Sequence, residues 1–196
     1  MSERTRVVRN WAVASIIVGI VAVALWQAHE LKTRATDSGG GDAGTGLTLY
    51  PAEKGIPLPQ IQGLTIAGDT LSLQNLRGHV VVLNVWGSWC APCRAEAPDL
   101  AAISKETEVR GVRFVGIDVR DNPSAGRAFE RNYAITYPSF DDENGLVLAQ
   151  FTGIIPVSAV PSTLVVDRFG VIRARVVGRV EGTTLRGLIE DAEKIK

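Results

Sequence analysis

The passage from Val80 to Cys93 constrains this chain more than any other. Val80–Trp86 reads VVVLNVW, apolar except for Asn84, and Cys90-Ala91-Pro92-Cys93 begins after only three more residues. A nearly unbroken apolar run of this length suits a central strand covered on both faces. The spacing then predicts a helix from about Cys90 to Glu106, with Ala97, Leu100 and Ala101 at i, i+3 and i+4. The fold must therefore hold a CxxC pair where a buried strand turns into a helix.

That placement gives the two cysteines unequal roles. Free backbone N–H groups and the helix dipole favour a thiolate at a helix N-terminus. Cys90 is thus expected to be the exposed nucleophile and Cys93, one turn further in, the resolving thiol. Pro92 stiffens the ring between them. As a structural staple the pair would be poor, because closing so short a loop removes little unfolded-state entropy. Two cysteines are also too few for a four-cysteine zinc site. Thiol–disulfide exchange, which needs no cofactor, is the chemistry these residues support.

The remaining periodicities predict the rest of the domain. Leu64–Ala67 and Thr70–Leu73 read as a hairpin around Gly68-Asp69, and Val112–Val119 as a second buried strand. Asn122-Pro123 starts a helix, a side-chain cap followed by proline at the first position, with Ala125, Ala128 and Phe129 on its inner face. Gly145–Phe151 is a short helix ended by Gly153. Val160–Asp167 and Val171–Val177 form a second hairpin, and Leu185, Leu188, Ile189 and Ala192 mark a closing amphipathic helix. This order predicts an α/β domain with a mixed sheet.

The N-terminal part has another character. Arg4, Arg6 and Arg9 precede an uncharged run from Asn10 to Ala28, bracketed by Trp11 and Trp26. Nineteen residues at about 1.5 Å each cover roughly 28 Å, close to the hydrocarbon core of a bilayer. The arginines predict a cytoplasmic N-terminus and an extracytoplasmic remainder. Residues 1–29 are therefore expected to be a retained membrane anchor, with a cleaved signal peptide as the alternative. Asp37 to Gly46 has five glycines in ten residues, and Pro51, Pro57 and Pro59 follow. Residues 30–55 are expected to form a flexible linker, and residues 56–196 the folded domain.

Equal numbers of basic and acidic residues, 21 each, provide no sequence-wide field for nucleic acid. A copper-binding chaperone would need a third soft donor beside the cysteines. His79, the one histidine of the predicted domain, starts the strand whose far end leads to Cys90. At roughly 3.3 Å per residue it is tens of ångströms away. A metal at the site is accordingly not expected. A thiol peroxidase is disfavoured as well, since a tight CxxC ring beside a tryptophan suits disulfide exchange better than peroxide binding.

The stretch VVVLNVWGSWCAPCRAEAPDL resembles the active-site strand and helix of the thioredoxin superfamily. More narrowly, it resembles the membrane-tethered TlpA/ResA group of extracytoplasmic thiol–disulfide oxidoreductases, which includes cytochrome c maturation proteins. The resemblance spans about residues 56–196. It implies a thioredoxin-like fold, with an inserted strand–helix segment at about Asn122–Asp142. It also implies a cis peptide at Val160-Pro161 facing the CxxC, with the backbone before Pro161 free to pair with a partner in β fashion. Pro98 falls inside the active-site helix. Asn84 stands where thioredoxin carries a buried aspartate, so Glu96, three residues after Cys93 on the same helical face, becomes the candidate proton carrier. Trp89 is expected to form an apolar floor beside the disulfide, Trp86 to be core, and Tyr137-Pro138 either to rim the groove or simply to pack. His79 is expected to be a solvent-facing loop residue. The implied activity is reduction of protein disulfides, such as the CxxCH pair of an apocytochrome c, with electrons from a membrane thiol donor. A general oxidising thiol–disulfide enzyme is the alternative direction.

Overall fold

A computed structural model describes residues 46–196. Its centre is β5 (Val81–Trp86), in which all six residues are buried. Parallel to β5 lies β6 (Arg113–Val119), and parallel to β6 lies β7 (Ser139–Asp142). On the other side β8 (Ser162–Val166) and β9 (Val171–Val177) run antiparallel, and two short strands, β1 (Leu47–Leu49) and β2 (Ile56–Pro57), pair with β9. The mixed sheet thus has the order β1-β9-β8-β5-β6-β7. A separate hairpin joins β3 (Gln62–Leu64) to β4 (Thr70–Ser72).

Three α-helices connect these strands, α1 (Ala91–Glu108), α2 (Pro123–Tyr133) and α3 (Leu146–Ala149), and α4 (Gly182–Glu193) follows the last strand. The two-residue period of β5 sorts its side chains between two cores. Val82 and Trp86 join Cys93, Leu100, Phe129 and Leu185 under α1, α2 and α4. Val81, Leu83 and Val85 join Ile117, Phe140, Leu148 and Phe151 on the opposite face. Both faces being covered explains why the strand is apolar almost throughout.

The mixed α/β architecture, the second hairpin and the amphipathic closing helix are present, and the first hairpin forms with its leading strand at Gln62–Leu64 instead of Leu64–Ala67. Three further details differ. The segment expected to be strand then helix is helix then strand, α2 followed by β7, because Asn122 caps a helix directly after β6 and leaves no room for a strand. Its Oδ1 accepts the Ala125 N–H at 3.0 Å. On α2, Gly126 and Phe129 are the buried residues, while Ala125 and Ala128 are only half-buried. The sheet also begins at Leu47, within the stretch that composition assigns to the linker, because pairing with β9 orders it. The predicted membrane segment, Asn10 to Ala28, lies outside the described residues. Among the described residues no helix is long and apolar enough to cross a membrane.

Candidate active site

Cys90 and Cys93 are joined as a disulfide at the N-terminus of α1. Cys90 is the N-cap residue, with extended backbone, and its Sγ accepts the Cys93 N–H at 3.2 Å. A sulfur in this position takes over one of the unpaired N–H groups of the first helical turn. The same N–H is placed to stabilise a Cys90 thiolate once the bond is reduced. The expectation that Cys90 is exposed is corrected, since Cys90 is 3% and Cys93 1% exposed in the disulfide form. Both cysteines belong to the apolar cluster that also holds Trp86, Ile66, Ala97 and Leu100.

Glu96 is the most unusual residue near this bridge. It occupies the buried stripe of α1 with Cys93, Ala97 and Leu100, and it is 0% exposed. By strand alternation Asn84 faces the same side as Val82 and Trp86, towards α1. Its Nδ2 donates to Glu96 Oε1 at 2.9 Å and to Thr163 Oγ1 at 3.1 Å. The Val180 N–H donates to Glu96 Oε2 at 3.0 Å. Burial pushes the Glu96 carboxyl up to about 7, against the opposing pull of the Val180 and Asn84 hydrogen bonds and the nearby Arg179 charge. A group balanced there can give or take a proton at neutral pH.

Pro161 follows a cis peptide bond from Val160. Register pairs Ser162 with Val85 and Thr163 with Asn84, so Pro161 comes alongside the end of β5 from which Cys90 follows. Val160 is half-buried and packs against the cluster that holds both cysteines. Its N–H is not free, because it donates to Ser158 O at 3.1 Å.

Trp89 stands 50% exposed, with Nε1 donating to Val119 O at 3.2 Å and the Arg120 guanidinium 5.0 Å above its ring. Its ring is half exposed and anchored at its edge by that hydrogen bond. Trp86 is core as expected, stacked on Phe129 at 4.4 Å between centroids. Tyr137 packs rather than lining a rim, being buried and tilted against Phe114. His79 is half-buried, with Nδ1 against Gly111 O at 2.9 Å. Among the described residues no group of three metal-binding side chains is gathered in one place.

Two acids escaped the sequence reading. Asp118, near the end of β6, is 1% exposed and its Oδ1 has no hydrogen-bond partner. Burial first, then the facing carboxylates Asp121, Asp141, Glu130 and Asp142, raise it to about 8. Asp121 accepts the Ser88 N–H on Oδ2 at 2.7 Å, two residues before the first cysteine. An acid set inside the buried run GIDV was the available signal for Asp118. Asp121 carried none, since an acid ahead of Asn-Pro reads as ordinary turn chemistry.

Comparison with known proteins agrees with this geometry. The AhpC/TSA family profile matches residues 55–175. The thiol:disulfide interchange protein DsbE of Pseudomonas fluorescens is 33% identical over 151 residues, covering 72% of this chain and 79% of that protein. The thiol–disulfide oxidoreductase ResA of Bacillus subtilis is 32% identical over 124 residues, covering 63% of this chain and 65% of that protein. Among solved structures, a DsbF homologue from Corynebacterium diphtheriae superposes with a TM-score of 0.71 at 33% identity, covering 78% of this chain and 96% of its own. The chain belongs to the AhpC/TSA family, with a thioredoxin-like domain, and is a thiol–disulfide oxidoreductase of the ResA/DsbE type.

Proposed function

We propose that this enzyme is tethered to the membrane by residues 1–29 and reduces protein disulfides outside the cytoplasm. Cys90 attacks one sulfur of the partner's disulfide and forms a mixed disulfide. The partner's other sulfur leaves as a thiolate and takes a proton. Cys93 then loses its proton to Glu96 and attacks the Cys90 sulfur, which releases the reduced partner and closes the Cys90–Cys93 bridge. Val160, Pro161 and Trp89 line the edge where the partner binds, with the Val160 carbonyl available for β-type pairing. A disulfide in the CxxCH segment of an apocytochrome c is the proposed substrate, and a membrane thiol donor returns the electrons. No metal or organic cofactor enters this cycle. The observation that carries the reading is the Cys90 sulfur capping α1, with Glu96 buried on the same helix and its carboxyl held by Asn84 of β5 and the Val180 N–H.

The test is to offer the reduced full-length protein a peptide containing an oxidised CxxCH segment and to measure the potential of the Cys90–Cys93 couple. The proposal expects stoichiometric peptide reduction and a potential near that of thioredoxin, roughly −270 mV. A potential near roughly −120 mV, with the couple drawing electrons from the peptide dithiol, would establish the oxidising direction instead. The tether is tested by protease treatment of wall-stripped cells, which should release a fragment beginning in the Asp37–Gly46 region. A mature protein beginning near Leu25, soluble without protease, would contradict it.

A further inference from the structure

The turn that delivers Cys90 is held from the side by three successive residues, the last of β6 and the two that follow it. At the end of β6 the Val119 carbonyl accepts the Trp89 indole N–H at 3.2 Å; beyond it the Arg120 guanidinium lies 5.0 Å above the Trp89 ring, and Asp121 Oδ2 accepts the Ser88 N–H at 2.7 Å. Asp121 Oδ1 meanwhile accepts the Asn122 N–H at 2.9 Å, so both carboxylate oxygens are engaged. Arg120 takes a left-handed backbone (φ 53°), uncommon for a residue with a side chain, between Val119 and Asp121. From the helix side, Arg94 Nη1 donates to Ser88 O at 2.7 Å, and the Cys90 N–H closes the turn onto Gly87 O at 3.0 Å. Ser88 is thus held through both its backbone N–H and its carbonyl.

We infer that Asp121 is a positioning residue of the thiol–disulfide reaction, fixing the Gly87–Trp89 turn and biasing the Cys90–Cys93 couple towards its disulfide form. The inference rests on the redox reading above. Asp121 is buried, so its charge is poorly screened where it meets the backbone two residues before Cys90. Negative charge there opposes the α1 dipole and disfavours a Cys90 thiolate. A reduced form that gains less from its thiolate gives up electrons more readily, which makes the couple a stronger reductant. Arg94 and Arg120 also meet the turn, while Asp118 on β6 feels the Asp121, Asp141, Glu130 and Asp142 carboxylates, and Glu96 is the titratable group of the buried stripe of α1. Arg94 and Arg120 are exposed to solvent, where their charge is screened.

The experiment compares full-length wild type with Asp121→Asn and Asp121→Glu. Each is equilibrated with dithiothreitol and its cyclic disulfide, and the Cys90 thiolate is titrated by ultraviolet absorbance. Asparagine keeps the size and one acceptor but loses the charge. The equilibrium constant of Asp121→Asn should shift about three- to tenfold towards the dithiol, and the Cys90 pKa should fall. Asp121→Glu should return both values towards wild type. A purely structural role would lower the melting temperature or slow exchange in Asp121→Asn while leaving the couple and the thiol pKa unmoved. That result, or a shift towards the disulfide, overturns the inference. If wild type itself shows no reversible Cys90–Cys93 couple, the redox reading fails and the inference with it.

Discussion

The Asn84 side-chain amide donates to Glu96 Oε1 at 2.9 Å, joining the central strand to the active-site helix through two fully buried polar groups. The amide cannot titrate, so the ionisable member of this contact is the glutamate. Its hydrogen bonds from Asn84 and Val180 favour the carboxylate while burial favours the acid, and the balance falls at about 7.

Glu96→Gln retains size and one of the two accepted hydrogen bonds, but it cannot carry a proton. We predict that exchange slows roughly 100-fold near neutral pH, and that the transition near pH 7 disappears from the rate profile. Asn84→Ala should act differently, because removing a donor to the carboxylate moves that transition to higher pH instead of abolishing it. Stopped-flow measurement of disulfide reduction across pH 5 to 9 (on the order of half-unit steps) checks both. An unchanged rate and profile in Glu96→Gln would return Glu96 to a purely structural role.

The same shift has a consequence for stability. The carboxyl of Glu96 binds its proton more tightly when folded (about 7) than at its ordinary value of 4.5. Its contribution is therefore fully present below about pH 4.5 and is lost as pH rises to about 7, by roughly 3 kcal/mol. Denaturant unfolding of the oxidised protein at both ends of this window should show wild type losing that much relative to Glu96→Gln. Asp118 titrates in both proteins and cancels in the difference. Parallel pH dependence of the two would contradict the assignment.

Close packing between α2 and β6 gives a third expectation. A Cβ at Gly126 would run into Asp118 Oδ2, with Ile66 Cδ1 at 3.3 Å on its flank. Alanine favours a helix over glycine by roughly 1 kcal/mol. Gly126→Ala should nonetheless destabilise the protein by about 1–3 kcal/mol, because the buried carboxyl must move. Urea midpoints decide the matter, and a variant as stable as wild type would show that Asp118 has room to turn away.

The features legible in the sequence were those with strong local signals. The run Val80–Trp86 announced a two-sided strand, Asn122-Pro123 a helix start, and the CxxC its own chemistry. Elements ordered by distant partners were not visible. Leu47–Leu49 is a strand because β9 offers it an edge, and three residues are too short a run to announce a strand by alternation alone. Ser139–Asp142 reads as SFDD, too polar for a strand beside the core. Yet Asp142 is buried because its carboxylate accepts the Val147 and Leu148 N–H groups at 2.7 and 2.9 Å. The hold of Asp121 on Ser88 crosses 33 positions, a tertiary relation that no spacing rule encodes.

The central claim is that Cys90 attacks and Cys93 resolves, and trapping with single-cysteine variants tests it most directly. Cys93→Ser lacks the resolving thiol, so it should accumulate a mixed disulfide through Cys90 when expressed with its natural partners. Cys90→Ser should accumulate little, because its remaining sulfur lies inside α1 behind the helix start. Non-reducing electrophoresis and mass spectrometry of the trapped species would identify the partner, an apocytochrome c on the present account. Equal trapping by the two variants, or trapping through Cys93 alone, would contradict the account.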